Sequence, residues 1–217
     1  MSLHVSDEDI LELMGVTING TPTLAGELCF SKYPQGVFPQ LCITAVALPG
    51  KEMGEPGQAG ERFLDNQRIT GTIEEMVAEA VDFVNRNSRH STIIDDYGRR
   101  IDRDEYPLKA LVHRDHSIHS ESVPVRIEIY RDRLEIISSG GLYGKLTIDS
   151  LGKVRPDTRN TALANILGLL HITENRYSGI PTIYYELANA KMAPPKFSVR
   201  RGEFVVTFMS KIAAAYE

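Results

Sequence analysis

Side chains capable of acid–base catalysis, phosphate binding or metal binding are most concentrated between Glu105 and His119. This stretch contains an acid, a lysine, three histidines and an adjacent Arg-Asp pair. Apolar residues recur at helical spacing in its first half, which predicts a helix there. Glu105 and Lys109 are four residues apart, so on that helix they share one face.

A carboxylate and a second polar group on one helix face can aim a general base at water and a second group at phosphate or metal. Glu105 is therefore a candidate catalytic base, and Lys109 a candidate cofactor-binding residue. The same spacing is also that of a common solvated ion pair. His113, His116 and His119 would form a transition-metal site on a continued helix, but fraying near His116 would scatter the three rings. We assign no metal ligand.

The elements around this stretch predict an α+β protein. A two-layer α/β sandwich is expected, with a mixed, mostly antiparallel sheet, helices on one face and a small α/β segment in front. We divide the chain into an N-terminal linker subdomain, residues 1–70, and a sandwich domain, residues 71–217. The helices are predicted after the caps Ser6 and Thr72, after Asn160 and around Pro181, and the strands over 23–32, 42–48, 125–130, 134–138, 196–200 and 203–209.

Two further local expectations concern the first seventy residues. Phe30, Val37 and Phe38 are expected in the core because large apolar side chains are most often buried. The glycine-rich segment 50–60 predicts an extended hairpin or a disordered loop, and a nucleotide lid would have a similar composition.

The composition and charge indicate a globular protein and argue against a membrane protein or a general DNA-binding protein. Of 217 residues, 42% are hydrophobic and 24% charged, which is ordinary for a globular chain. We find no apolar run of about eighteen residues and no signal peptide, and we expect a cytoplasmic protein with no membrane contact. Cys29 and Cys42 are expected to be free thiols. The net charge of −5 argues against a general DNA-binding surface on this chain.

Several motifs resemble those of one family in their order along the chain, from about Thr21 to Phe208. They are the runs Leu111-Val112-His113-Arg114-Asp115-His116-Ser117, Val125-Arg126-Ile127-Glu128-Ile129, Asp132-Arg133-Leu134-Glu135-Ile136 and Gly140-Gly141-Leu142. They resemble the C-terminal half of RecG-related helicases and transcriptional regulators. Those proteins are similar to the ATPase superfamily of gyrase, histidine kinases and MutL, which has the Bergerat ATP-binding fold.

The resemblance implies an ATP site with Mg²⁺. In the family motif Glu-x-x-x-Asn-Ala-Leu-x-His-Arg-Asp, the Glu activates water and the Asn holds magnesium; here these are Glu105 and Lys109. A protonated lysine has donors only and cannot ligate magnesium. The glycine box that reads adenine falls at 138–142, with Ser138 in place of its Asp. The implied cofactor-binding residues are Lys109, His113, Ser138, Gly140, Gly141, Ser178 and Gly179.

Two hypotheses follow from these departures. The first is a degenerate nucleotide-binding fold that serves as a ligand-sensing or oligomerisation module, in a homo-oligomeric transcriptional regulator. The alternative is an ATPase with Glu105 as general base. Met1-Ser2-Leu3 also suggests a piece of a longer protein, whose DNA contacts would lie in domains outside this chain.

Overall fold

The structure is a computed structural model that describes residues 5–88, 105–117, 119–120, 122–155, 157–173 and 179–210. The helices are α1 (Asp7–Leu13), α2 (Leu24–Phe30), α3 (Ile73–Asn87), α4 (Glu105–His113), α5 (Thr161–Leu169) and α6 (Gly179–Asn189). The strands are β1 (Thr17–Ile18), β2 (Thr21–Pro22), β3 (Ile43–Ala47), β4 (Asp65–Ile69), β5 (Val125–Ile129), β6 (Arg133–Ser139), β7 (Lys196–Arg200) and β8 (Glu203–Met209). Over the described residues, no helix has the length and apolar character to cross a membrane.

Six strands form one sheet in the order β4-β3-β5-β6-β8-β7. Only β3 and β5 are parallel neighbours in this sheet, and the other adjacent pairs are antiparallel. A parallel pair needs a long crossover connection, and the chain between β3 and β5 contains β4, α3 and α4. The prediction of a two-layer sandwich with a mixed, mostly antiparallel sheet is confirmed.

The hydrophobic core lies between the sheet and the helices α2 to α6. On the sheet side it contains Ile43, Ile127 and Ile136, and on the helix side Met76 and Ile166. The longest helix, α3, begins as predicted at a capping box, in which the side chain of Thr72 accepts from the Glu75 amide and the Glu75 carboxylate accepts from the Thr72 amide. Its buried residues recur at helical spacing. This face of the sheet is therefore covered by apolar packing.

The strand predicted over residues 23–32 is wrong, because Leu24–Phe30 is the helix α2. Thr23 caps it: its hydroxyl accepts from the Gly26 amide at 3.1 Å and donates to the Gly15 carbonyl at 2.7 Å. The helix contains no β-branched residue, and its Leu28 is almost completely buried. Capping and a tertiary docking face decide the conformation here.

The placement of Phe30 and Val37 in the core is also wrong. Phe30 is 49% exposed at the end of α2, and Val37 is 62% exposed after a short 3-10 helix at Pro34–Gly36. Phe38 is partly buried and packs against the core, as predicted. In place of the two exposed residues, Gln35 is buried and its side-chain amide bonds both the amide and the carbonyl of Gly71.

Residues 48–64 connect β3 to the antiparallel β4, which agrees with the predicted extended hairpin. The loop is organised by carboxylates: Glu55 accepts from the amide of Lys51 at 2.8 Å. β3 and β4 belong to the same sheet as β5 to β8, although they precede the boundary predicted at residue 70. The division into two domains stays a prediction.

Candidate functional site

The candidate site lies where the end of α4 meets the end of β6. Leu108, Leu111 and Val112 of α4 are buried at helical spacing, so this helix packs on the sheet. Immediately after the helix, the amide of Asp115 donates to the carbonyl of Ser139 at 2.8 Å. This bond joins the turn after α4, which contains Arg114 and Asp115, to the turn after β6, which contains Gly140 and Gly141.

Arg114 fixes the chain that leaves α4. Its side chain is completely buried, and one guanidinium nitrogen, Nη2, donates to the carbonyls of Ser120, at 2.7 Å, and Val123. Burial lowers the pKa of Arg114, and the charge of Asp115 opposes this effect. These bonds tie the turn after α4 to the entrance of β5, so Arg114 has a positioning role.

Asp115 holds a second arginine. A carboxylate oxygen of Asp115 lies 2.9 Å from Nη1 of Arg159, and its other oxygen accepts from the Ser117 amide at 2.9 Å. Burial alone would raise the pKa of Asp115, but the bonds from Ser117 and the guanidinium of Arg159 outweigh it and lower this pKa. Asp115 is therefore an ionised partner of Arg159 at neutral pH.

Gly140 lies against this ion pair. Its φ of +90° is in the region that favours glycine, and a Cβ there would lie 2.5 Å from Nη1 of Arg159 and 2.7 Å from Cβ of Asp115. Arg159 also contacts the Gly141 carbonyl and lies over the ring of Tyr143, 5.1 Å from its centroid. The space beside the Gly140 backbone is thus filled by the protein's own side chains.

Asn160 completes the junction in an unexpected way. As predicted, it is the N-cap residue of α5, but its side chain makes no capping bond to that helix. Its Nδ2 donates instead to the carbonyls of Val112, at 2.6 Å, and Arg114, at 2.8 Å. Carbonyls at the end of a helix lack intrahelical donors, and Asn160 supplies one to α4. The local cap pattern at Asn160 does not reveal this long-range bond, and sequence reasoning missed Arg159 entirely.

The structure brings only some predicted site residues to this junction. Ser138 lies at the end of β6, and Gly140 and Gly141 come directly after this strand. Lys109 and His113 lie on α4. Desolvation of the imidazole, and then the charge of Lys109, lower the pKa of His113. Gly179 is the buried first residue of α6. Ser178 lies outside the described residues, as does the side chain of Glu105, whose backbone begins α4.

The three histidines do not lie on one helix, because α4 ends at His113. Nε2 of His116 lies 3.1 Å from the Leu111 carbonyl, so this nitrogen carries the proton. His119 is exposed in the following turn. Within the ranges that the structure describes, no three His, Cys, Asp or Glu side chains gather into a metal-binding group.

The described residues do not fit the Mg²⁺–ATP site that the resemblance implies. Lys109 offers only donors at the position where an oxygen ligand for magnesium is needed. The turn at Gly140 is in close contact with Asp115 and Arg159 and leaves no room beside this glycine even for a Cβ. Two buried atoms of the junction, Oγ of Ser139 and Nε of Arg159, have no hydrogen-bond partner among the described residues. Buried polar atoms are costly unless they are bonded, so each of these two atoms lacks a compensating bond among the described residues.

Residues 123–208, from the entrance of β5 into β8, match the family described as "Putative ATP-dependent DNA helicase recG C-terminal". The matched residues are fewer than half of the chain, and over them the chain is similar to that family. No curated protein matches the chain.

One similar solved structure is the crystal structure of the DIP2311 protein from Corynebacterium diphtheriae. The two share 20% sequence identity with a TM-score of 0.69, over 95% of this chain. The chain spans about a third of that protein, 34% of its length. At this level of identity the likeness shows a shared fold.

Proposed function

We propose that this chain is a non-hydrolysing, ATPase-like module of a RecG-related transcriptional regulator. It serves as a ligand-sensing or oligomerisation unit of divergent Bergerat type, and other domains of a longer protein make the DNA contacts. The match of residues 123–208 to the RecG C-terminal family supports the ATPase-like part. The regulator, the nucleotide ligand and the oligomer are parts of the proposal.

The close packing at Gly140 is the observation that carries this proposal. In the ATP site that the resemblance implies, this turn would lie open to nucleotide. Here Asp115 and Arg159 approach the glycine so closely that a Cβ would be 2.5–2.7 Å from them. Asn160 and Arg114 hold the surrounding chain by further bonds to carbonyls. The junction is closely packed and held by hydrogen bonds, which suits a scaffold better than a turnover site.

The test combines binding isotherms for ATP and ADP, with and without magnesium, with an assay of phosphate release. We expect no magnesium-dependent turnover, and the same background for the chain and for Glu105→Gln. Lys109→Asn should not create activity, because the turn at Gly140 stays filled. Magnesium-dependent turnover that disappears in Glu105→Gln would overturn the proposal and establish Glu105 as the general base.

A ligand-sensing role can be tested at Ser139. Since the buried hydroxyl has no partner among the described residues, Ser139→Ala should leave the free energy of unfolding unchanged or slightly raised. If a nucleotide stabilises the chain in a thermal-shift measurement, the same substitution should reduce that stabilisation. An undiminished shift in Ser139→Ala would place the ligand elsewhere.

A further inference from the structure

β7 is an edge strand, and none of the described strands lies beyond its outer side. It pairs with β8 and forms one end of the six-stranded sheet. Among the described residues, no other backbone group bonds to residues 196–200. Alternate amides and carbonyls of an edge strand point away from the sheet, and they can pair with an added strand. β7 therefore offers a five-residue template.

The two faces of this template differ in chemistry. Phe197 packs on the helix side, where Tyr184 of α6 meets it edge-on at 6.2 Å between ring centroids. Val199 shares that face, and both Tyr184 and Val199 are nearly half exposed. Lys196 and Arg200 lie on the opposite face. A strand beside β7 would meet apolar side chains on one face and cations on the other.

The charges decide which occupant fits. In an antiparallel pair of two copies of β7 centred on Ser198, Lys196 would lie opposite Arg200, and like charges directly opposite are destabilising. Arg201 extends the same basic end in the turn to β8. Arg200 bonds Glu135 at 2.7 Å, yet its side chain stays 54% exposed and can face a second carboxylate.

We propose that β7 is a docking edge for an extended, acidic segment of a partner protein, which adds a strand to the sheet. The segment alternates acidic side chains, opposite Lys196 and Arg200, with apolar ones beside Tyr184 and Val199. Main-chain hydrogen bonds supply affinity in such strand addition, and the alternating side chains supply specificity.

The test uses a fluorescent peptide of alternating valine and glutamate, measured by anisotropy with the whole chain. We expect saturable binding that weakens with salt, and no binding of the peptide with lysine in place of glutamate. Two further peptides carry N-methyl groups on alternate backbone nitrogens, one on the odd-numbered and one on the even-numbered positions. Only one of these two peptides should lose binding, because only one edge of the peptide meets β7. Equal binding of the acidic and basic peptides, or of both methylated sets, would overturn the proposal.

Substitutions then locate the site. Lys196→Glu should weaken the acidic peptide roughly tenfold or more, whereas Lys32→Glu, an exposed lysine after α2, is the matched charge control and should not. Val199→Asp should also weaken binding, because it places an acid on the apolar face. Binding unchanged by both β7 variants would reject this edge as the site. The result is independent of ATP turnover, so failure here leaves the proposed function untouched.

Discussion

The two faces of the central sheet are buried by different means. On the helix side, apolar residues such as Ile127 pack under α3, α4 and α5. On the other side, the guanidinium of Arg126 on β5 reaches across β6 to both carboxylate oxygens of Glu203 on β8, at 2.8 and 2.9 Å. Arg200 on β7 likewise reaches across β8 to Glu135 on β6, at 2.7 Å. We call the side that carries these arginines the charged face.

The ion pairs explain two buried apolar residues on the charged face. Ile137 is 4% exposed and Val205 is 2% exposed. Register places Ile137 beside Arg126 and opposite Val205, so these side chains lie under the crossing arginines. Long arginine side chains can cover apolar surface with their aliphatic stems.

The charged face also contains an acidic cross-strand pair. Glu128 and Glu135 lie directly opposite each other on β5 and β6, and both are buried. Such a pair is destabilising unless it is compensated. Tyr130 donates to Glu128 at 2.8 Å, and Arg133 bonds Glu135 at 2.9 Å. Apolar packing therefore stabilises one face of this sheet, and charge pairing stabilises the other.

The largest effect is expected from a cavity on the helix side. Ile127→Ala removes a fully buried side chain and should lower the free energy of unfolding by about 3 kcal/mol. Ile137→Ala on the charged face should cost less, because the arginine stems above it can close over the gap. Urea unfolding of both variants measures the difference, and equal losses would contradict the comparison.

The second-largest effect is expected from acid, which should destabilise the fold through His116 beside α4. Burial, then the charge of Arg114, lowers the pKa of His116 from 6.5 to about 4. As the pH falls, the imidazole of His116 is therefore protonated in the unfolded chain before it is protonated in the folded protein. The associated stability is complete above pH 6.5 and is lost as pH falls towards 4, with about 2 kcal/mol lost between pH 6.5 and 5. The urea midpoint of the native chain should therefore decrease as the pH is lowered from 6.5 to 5.

His116→Gln is the control for this effect. A glutamine keeps a donor near the Leu111 carbonyl but does not titrate. The free energy of unfolding of this variant should fall much less between pH 6.5 and 5 than that of the native chain, and His113, whose pKa is also lowered, accounts for the remaining slope. An equally steep fall in the variant would assign the acid sensitivity to another group.

The smallest effect is expected on the charged face. Glu203→Gln keeps the shape of the side chain but weakens the bond to Arg126, and should cost about 1 kcal/mol because both side chains are a quarter to a third exposed. High salt screens such pairs, so 1 M NaCl should shrink the difference between the native chain and Glu203→Gln. The loss in Ile127→Ala should persist in salt. A salt-independent loss in Glu203→Gln would show that packing dominates here too.

Much of the fold could be predicted from the sequence because its signals are local. The capping box at Thr72, the alternating strands after Val125 and the closing hairpin around Gly202 each depend on residues a few positions apart. The strand predicted over residues 23–32 is wrong because the cap at Thr23 and the docking of α2 through Leu28 together decide their conformation, and docking is not visible in a short window.

The candidate site divides in the same way. The helix that begins at Glu105 and the turn at Gly140 can be predicted from residue type and helical period alone. Long-range packing, in contrast, brings Asp115 and Arg159 together over that glycine and directs the Asn160 side chain to α4 rather than to its own helix. Residues forty or more positions apart become neighbours through packing of the whole core, and no local pattern records which donors and acceptors this packing brings together.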